Sequence, residues 1–234
     1  MRARLVVGFL GLAVSLAGGA FSIACSSSTP AEPAIASDAA ADASESTDAP
    51  ADGGASSDAA TDVATTPKRV FLTSGYYLGT AIGGLAKMDE DCTQVAAKAK
   101  LGGTWRAWAS DSHANAIDRL VDVGPWFTLA GKKVAENKAG LVVTSLHSLL
   151  ASIDVTETGQ PTTGGGSAWT GTNADGKAST DTCNDWAISN DGLAPDGGVL
   201  LGQVGTVFAT DESWTASTPG QCGASQLSLY CFEQ

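Results

Sequence analysis

At 234 residues with a formal net charge of -12, the chain has length for one or two domains, and its uneven composition leaves room for one. An acidic excess of this size repels phosphate backbones and anionic headgroups, so nucleic acid is excluded as an expected partner. Only two histidines are present, which leaves few catalytic constellations to consider.

Arg2 and Arg4 precede an apolar run from Leu5 to about Ala17, and small residues then lead to Ala24 and Cys25. This is the layout of an export signal. Leu5 to Ala24 is also close to the ~20 residues that cross a bilayer, but the accumulating glycine and alanine and the cysteine at the processing position favour removal. Ser22-Ile23-Ala24-Cys25 resembles the lipobox of bacterial lipoproteins, which implies that residues 1–24 are a signal peptide and that Cys25 becomes an acylated N-terminus. Ser22 stands where leucine is usual, and ordinary signal cleavage near Ala20 is the alternative. With each buried methylene contributing about 0.8 kcal/mol, two or three acyl chains make the membrane a stable partner. Ser26-Ser27-Ser28 lacks the aspartate of inner-membrane retention, and resemblance to enterobacterial sorting then implies the outer membrane.

From Cys25 to Pro67 the chain is almost entirely Ala, Ser, Thr, Asp, Glu, Pro and Gly, with only Ile35 and Val63 as sizeable apolar residues. Ordering a residue costs roughly 1 to 2 kcal/mol and nothing here offsets it, so residues 25–67 read as a disordered acidic tether. The folded domain is expected over 68–234.

Arg69-Val70-Phe71-Leu72-Thr73 reads as a first strand. Met88, Cys92, Val95, Ala96 and Ala99 recur at helical spacing, with Asp89 as the N-cap and Gly102 beyond the end. Thr104 to Ser110 alternates as a strand, and a second short helix follows Asp111 through Ala116, Ile117, Leu120 and Val121. Leu141 to Ile153 is apolar enough for helix or strand, and periodicity does not decide between them. Asp175-Gly176 marks a hairpin turn between Ala168-Trp169-Thr170-Gly171 and Lys177 to Thr180. Leu227 to Phe232 supplies a final buried strand, and the whole is α+β.

Of five cysteines, assigning Cys25 to lipid leaves Cys92, Cys183, Cys222 and Cys231. An even set in an oxidising compartment reads as two disulfides, with three pairings open. No Cys-x-x-Cys occurs, so a metal or exchange role is not expected.

Leu101-Gly102-Gly103-Thr104-Trp105-Arg106-Ala107-Trp108 after a cysteine-bearing helix resembles the corresponding segment of endostatin, the C-terminal domain of certain collagens. Further blocks follow in the same order: Trp169-x-Gly171-Thr172-x-x-Asp175-Gly176, Cys183-x-x-Trp186, Leu200-Leu201-Gly202-Gln203, Cys222, and Leu229-Tyr230-Cys231-Phe232-Glu233. The same blocks identify the chain as similar to an uncharacterised family of bacterial lipoprotein domains, over nearly all of Arg69 to Gln234. The resemblance implies the endostatin-like branch of the C-type-lectin fold, with its first and last strands side by side. It also implies the pairing Cys92 with Cys231 and Cys183 with Cys222. The family's histidine zinc ligands and arginine-rich heparin surface have no counterpart here, and the calcium-site motifs of true lectins are absent, so no metal or cofactor is expected.

His113 reads as a solvated residue in the first turn of a helix and His147 as a structural one, so no catalytic residue is assigned. Asp89, Glu90 and Asp91 read as helix N-terminal acids rather than a cation site. The Gly164-Gly165-Gly166 run reads as a flexible loop. Trp105, Trp169 and Trp186 are expected in the core. Trp126 and Trp214, in Gly, Pro, Ser and Thr-rich surroundings, are the candidate ligand contacts, on a face built from the loops between Gln160 and Thr218. The function this adds up to is a non-catalytic binding or adhesion module on the cell envelope, for an extracellular glycan or an envelope protein. A structural envelope protein without small ligand, or a hydrolase, is the alternative.

Overall fold

A computed structural model describes residues 66–144, 148–189, 192–194 and 196–234. The expected signal peptide, Cys25, the tether and His147 lie outside the described residues. The frame is a five-stranded sheet in the order β3-β11-β1-β4-β5, built from β1 (Lys68–Leu72), β3 (Trp105–Ala107), β4 (Trp126–Thr128), β5 (Lys133–Ala135) and β11 (Tyr230–Glu233). Strand β1 pairs antiparallel with β11, Val70 opposite Phe232 and Leu72 opposite Tyr230, and parallel with β4.

Successive side chains on a strand point to opposite faces, and here both faces are covered. Val70, Leu72, Tyr230 and Phe232 enter one core with Trp108, Trp126 and Trp214, while Phe71, Leu229 and Cys231 enter the other with Trp105, Trp169 and Trp186. That is why β1 and β11 are continuous apolar runs rather than alternating ones. The second face is closed by α1 (Leu85–Lys98), whose Met88, Cys92 and Ala96 are buried at helical spacing. Helix α1 begins after Gly84, not at Asp89: Gly83 and Gly84 hold φ of 89° and 96°, and Asp89 is one turn inside. Its carboxylate accepts from Ala107 N at 2.9 Å and from Arg119 Nη2 at 2.6 Å, fixing β3 and α2 (Ala116–Arg119) to α1.

The remainder is loops pinned by two-stranded ribbons. Strand β2 (Tyr77–Leu78) pairs with β10 (Gln226–Leu227), β6 (Ser167–Trp169) with β8 (Val204–Thr206), and β7 (Leu201–Gly202) with β9 (Gly220–Gln221). Leu141 to Ile153 is neither helix nor strand among its described residues. A 3-10 turn ends at Leu141, and Leu141, Val143, Leu149 and Ile153 reach the core from irregular backbone. The Asp175-Gly176 turn is present, closed by Gly176 N to Asn173 O, but its arms meet only at a Thr172–Ala178 bridge. The expected partner of Ala168-Trp169 is displaced by β8. Thr172 and the hairpin are held by side chains, Ser110 and Thr172 hydroxyls lying 2.8 Å apart.

Two disulfides join Cys92 to Cys231 and Cys183 to Cys222, across 139 and 39 residues. On the chain-entropy model, loops of this length give about 4 to 5 kcal/mol per crosslink. Such crosslinks persist in oxidising compartments, so the domain is one exported from the cytoplasm. Among the described residues no helix is long and apolar enough to cross a membrane.

At the end of the sheet where β1 starts, Arg69 grips the last strand. Its Nε and Nη2 donate to the two Glu233 carboxylate oxygens at 2.7 Å each, its Nη1 to Leu101 O, and its backbone N to Glu233 Oε2. Burial alone favours the protonated Glu233, but the bidentate arginine outweighs it and holds the carboxyl below the usual glutamate range. A depressed folded-state pKa stabilises the protein above the unfolded value near 4.3, and that contribution is lost as pH falls through the folded value. Urea unfolding from pH 7 down to about pH 3 is therefore expected to show a steeper acid loss in the natural chain than in Glu233→Gln, which starts less stable and depends less on pH.

Candidate functional site

The two tryptophans expected at a binding edge are inside the protein. Trp126 is 0% and Trp214 1% exposed. Trp126 is a β4 residue whose ring meets Phe232 edge-on at 5.8 Å and whose Nε1 donates to Glu233 O. Trp214 packs between Trp108 and Tyr230, at 5.0 and 5.6 Å between ring centroids. Their Gly, Pro, Ser and Thr neighbours make the turns that carry these rings inward. Replacing Trp214 with alanine is expected to cost about 3 to 5 kcal/mol of stability, seen as a lower denaturation midpoint, rather than a selective loss of binding.

The aromatic rings that do face solvent are Tyr76 and Phe208, 47% and 58% exposed. Both lie on the Gly164-Gly165-Gly166 run. A methyl group at Gly164 would sit 1.7 Å from Tyr76 Oη, and one at Gly166 would sit 2.8 Å from the Phe208 ring. With glycine there, the Tyr76 hydroxyl and the Phe208 ring edge approach the backbone itself, and a side chain at either position would displace them. The run is anchored, since it leads directly into β6 and Gly166 O accepts from Val207 N at 2.9 Å.

Tyr76 lies in the turn between Leu72, where β1 ends, and β2. Beside it Glu157 accepts from the backbone N and the hydroxyl of Ser74. Beyond Phe208, Asp211 caps the 3-10 turn Glu212–Trp214 and accepts from Ser213. Hydrogen bonds from Ser213 hold the Asp211 carboxyl below the usual aspartate range.

A second feature lies in the loop that carries Cys183. Cys183–Trp186 (α3) is a helical turn of the wrong hand: all four residues have positive φ, between 52° and 60°. For non-glycine residues this costs roughly 1 to 2 kcal/mol each, and it persists only where surroundings over-determine it. They do. Cys183 is tied to Cys222, Trp186 Nε1 donates to Ser110 O at 2.8 Å, and Trp186 O accepts from Gly83 N and Gly84 N. Asp185 accepts from Ser112 N, Ser112 Oγ and Thr182 Oγ1. Burial pushes the Asp185 carboxyl upward, but these bonds, with His113 nearby, bring it below the usual range.

The turn borders a cleft of about 430 Å³ lined by Thr180, Asp181, Asn184 and Asp185, with Val199 and Leu201 at its lip. Asn184 is exposed, so its side chain does not support the turn. Asn184→Val, a β-branched residue at φ 55°, is expected to lower unfolding free energy by about 2 kcal/mol with the disulfides intact, as read by urea titration.

His113 precedes α2 instead of lying in its first turn, and is 83% exposed at the side chain, with Nε2 3.9 Å from Asp185 Oδ2. The Ser112 hydroxyl donates to Asp185, not to His113, so this trio does not set a base against a nucleophile. Asp89, Glu90 and Asp91 are taken up by Arg119 and Lys87. Among the described residues no three His, Cys, Asp or Glu side chains gather closely enough to hold a metal ion.

Charge is unevenly divided along the domain. Lys68 to Lys138 carries ten Lys and Arg against seven Asp and Glu, whereas Ala139 to Gln234 carries ten Asp and Glu against Lys177 alone. Phe208, Gly164 to Gly166 and most of the cleft lining belong to the second stretch, while Tyr76 and Ser112 belong to the first. No family model matches the chain, and no curated protein matches it.

Proposed function

We propose that the chain is an exported, lipid-anchored envelope protein, outer-membrane in location, whose domain of endostatin-like, C-type-lectin-like fold is a non-catalytic module for binding an envelope glycan. The observation that carries the reading is the pair Tyr76 and Phe208. In a domain that buries all six of its tryptophans, two aromatic rings are left facing solvent, seated on one glycine run. Rings of this kind supply rigid contact area at low entropic cost. The hydroxyl and amide groups of Thr180 and Asn184, which line the separate cleft, suit a hydroxyl-rich ligand.

The test uses the full chain in sedimentation against insoluble cell-wall and exopolysaccharide fractions. Tyr76→Ala and Phe208→Ala are each expected to reduce retention about tenfold, the scale of an exposed contact residue, with little change in unfolding midpoint. Gly164→Ala, which displaces the Tyr76 ring without removing it, is expected to weaken retention in the same direction. Unchanged retention in all three variants would overturn the assignment of this face.

A further inference from the structure

The acidic balance of the loop face restricts what kind of glycan it can hold. Besides Glu233, which Arg69 neutralises, and Asp175, which Lys177 meets at 3.5 Å, the acids of the second stretch have few cationic partners. Among the described residues Glu157, Asp181, Asp196, Asp211 and Glu212 have no Lys, Arg or His nitrogen within ion-pair distance, and Asp185 has only His113. Glu157 stands beside the turn that carries Tyr76, in a groove that Lys98 also lines without pairing with it. Asp211 and Glu212 follow shortly after Phe208, and Asp181 lines the cleft.

A face with an excess of one sign attracts ligands of the other and repels its own. Polymers bearing carboxylate, sulfate or phosphate are therefore disfavoured. A ring beside a carboxylate is a setting in which an ammonium group gains twice, from the ring quadrupole and from the opposite charge.

Resting on the glycan-binding reading, we infer that the ligand is a cationic amino-sugar polymer, a glycan with free primary ammonium groups, whose sugar faces lie on Tyr76 and Phe208 while its ammonium groups meet the surrounding carboxylates. The charge on each sugar is what distinguishes this ligand from a neutral glycan. Hydroxyl and amide groups in the cleft, and rings seated on a glycine run, favour a sugar over a basic peptide. No bond is made or broken.

The full chain is tested against partly N-deacetylated poly-β-glucosamine, the same polymer after complete N-acetylation, a neutral glucan, a polyuronate and poly-lysine. Retention on the deacetylated polymer is expected to exceed that on its acetylated form by about tenfold. It is expected to fall by a similar factor between about 50 and 300 mM salt, since screening shortens the reach of exposed charges. The triple variant Glu157→Gln, Asp181→Asn, Glu212→Gln preserves shape and removes three charges. It is expected to lose the preference for the deacetylated polymer while keeping the unfolding midpoint of the natural chain.

Equal retention on acetylated and deacetylated polymer, still sensitive to Phe208→Ala, would overturn the cationic inference and leave the glycan-binding reading standing. Capture of poly-lysine as strong as that of the amino sugar would overturn it in favour of a basic peptide. Retention on none of the glycans would remove both readings together.

Discussion

The antiparallel pairing of the first strand with the last is the constraint on which the rest of the domain depends. Lys68–Leu72 and Tyr230–Glu233 are held together at one end by the Arg69–Glu233 fork, and the Cys92–Cys231 bridge ties the last strand to α1 on one face. Pairing strands so far apart in sequence carries a large loop-closure cost, and burial on both faces of the sheet offsets it. Val70, Phe71, Leu72, Tyr230, Cys231 and Phe232 are each 1% exposed or less. With the ends closed, the intervening chain is confined to loops over the two faces.

That closure explains why irregular backbone can be so ordered. The left-handed turn Cys183–Trp186 would not persist alone. It is fixed because Cys183 is bonded to Cys222, Trp186 fills the second core, and Asp185 is clamped by Ser112 from the loop after β3. Gly202 belongs to the same argument, since a methyl there would lie 2.5 Å from Cys183 Sγ. Strain at one turn is held by contacts from three separate segments, so the cleft beside it is formed before any ligand arrives.

Legibility in the sequence followed the reach of each signal. Helix α1 was readable because Met88, Cys92 and Ala96 repeat at a period that no other element produces, and β1 and β11 because short β-branched and aromatic runs bury well on both sides. The start of α1 was not, because it is set by the positive φ of Gly83 and Gly84, and an acidic residue one turn later mimics a cap. Leu141 to Ile153 was ambiguous for a physical reason: its apolar residues plug the core from a segment with no regular hydrogen bonding, so neither period applies. The disulfide pairing came from resemblance to endostatin and matches the observed bridges; spacing alone left three arrangements.

The candidate site was the least legible part, and the error is instructive about loops. Polar and glycine-rich neighbours around Trp126 and Trp214 report that the backbone turns, not which way a ring points after the turn. Large aromatics are expensive to leave in water, so a loop tryptophan is drawn inward wherever the turn permits, as Trp214 is by Trp108 and Tyr230. Tyr76 and Phe208 stay outside although the same force acts on them, the Tyr76 hydroxyl against Gly164 and the Phe208 ring edge against Gly166. The glycine run was the readable signal, since Gly164 and Gly166 each lie against one of these side chains. The second signal was charge counted by halves of the domain: a stretch of 96 residues with one Lys or Arg cannot neutralise its own acids internally and depends on cations from the first half, as Glu233 does on Arg69.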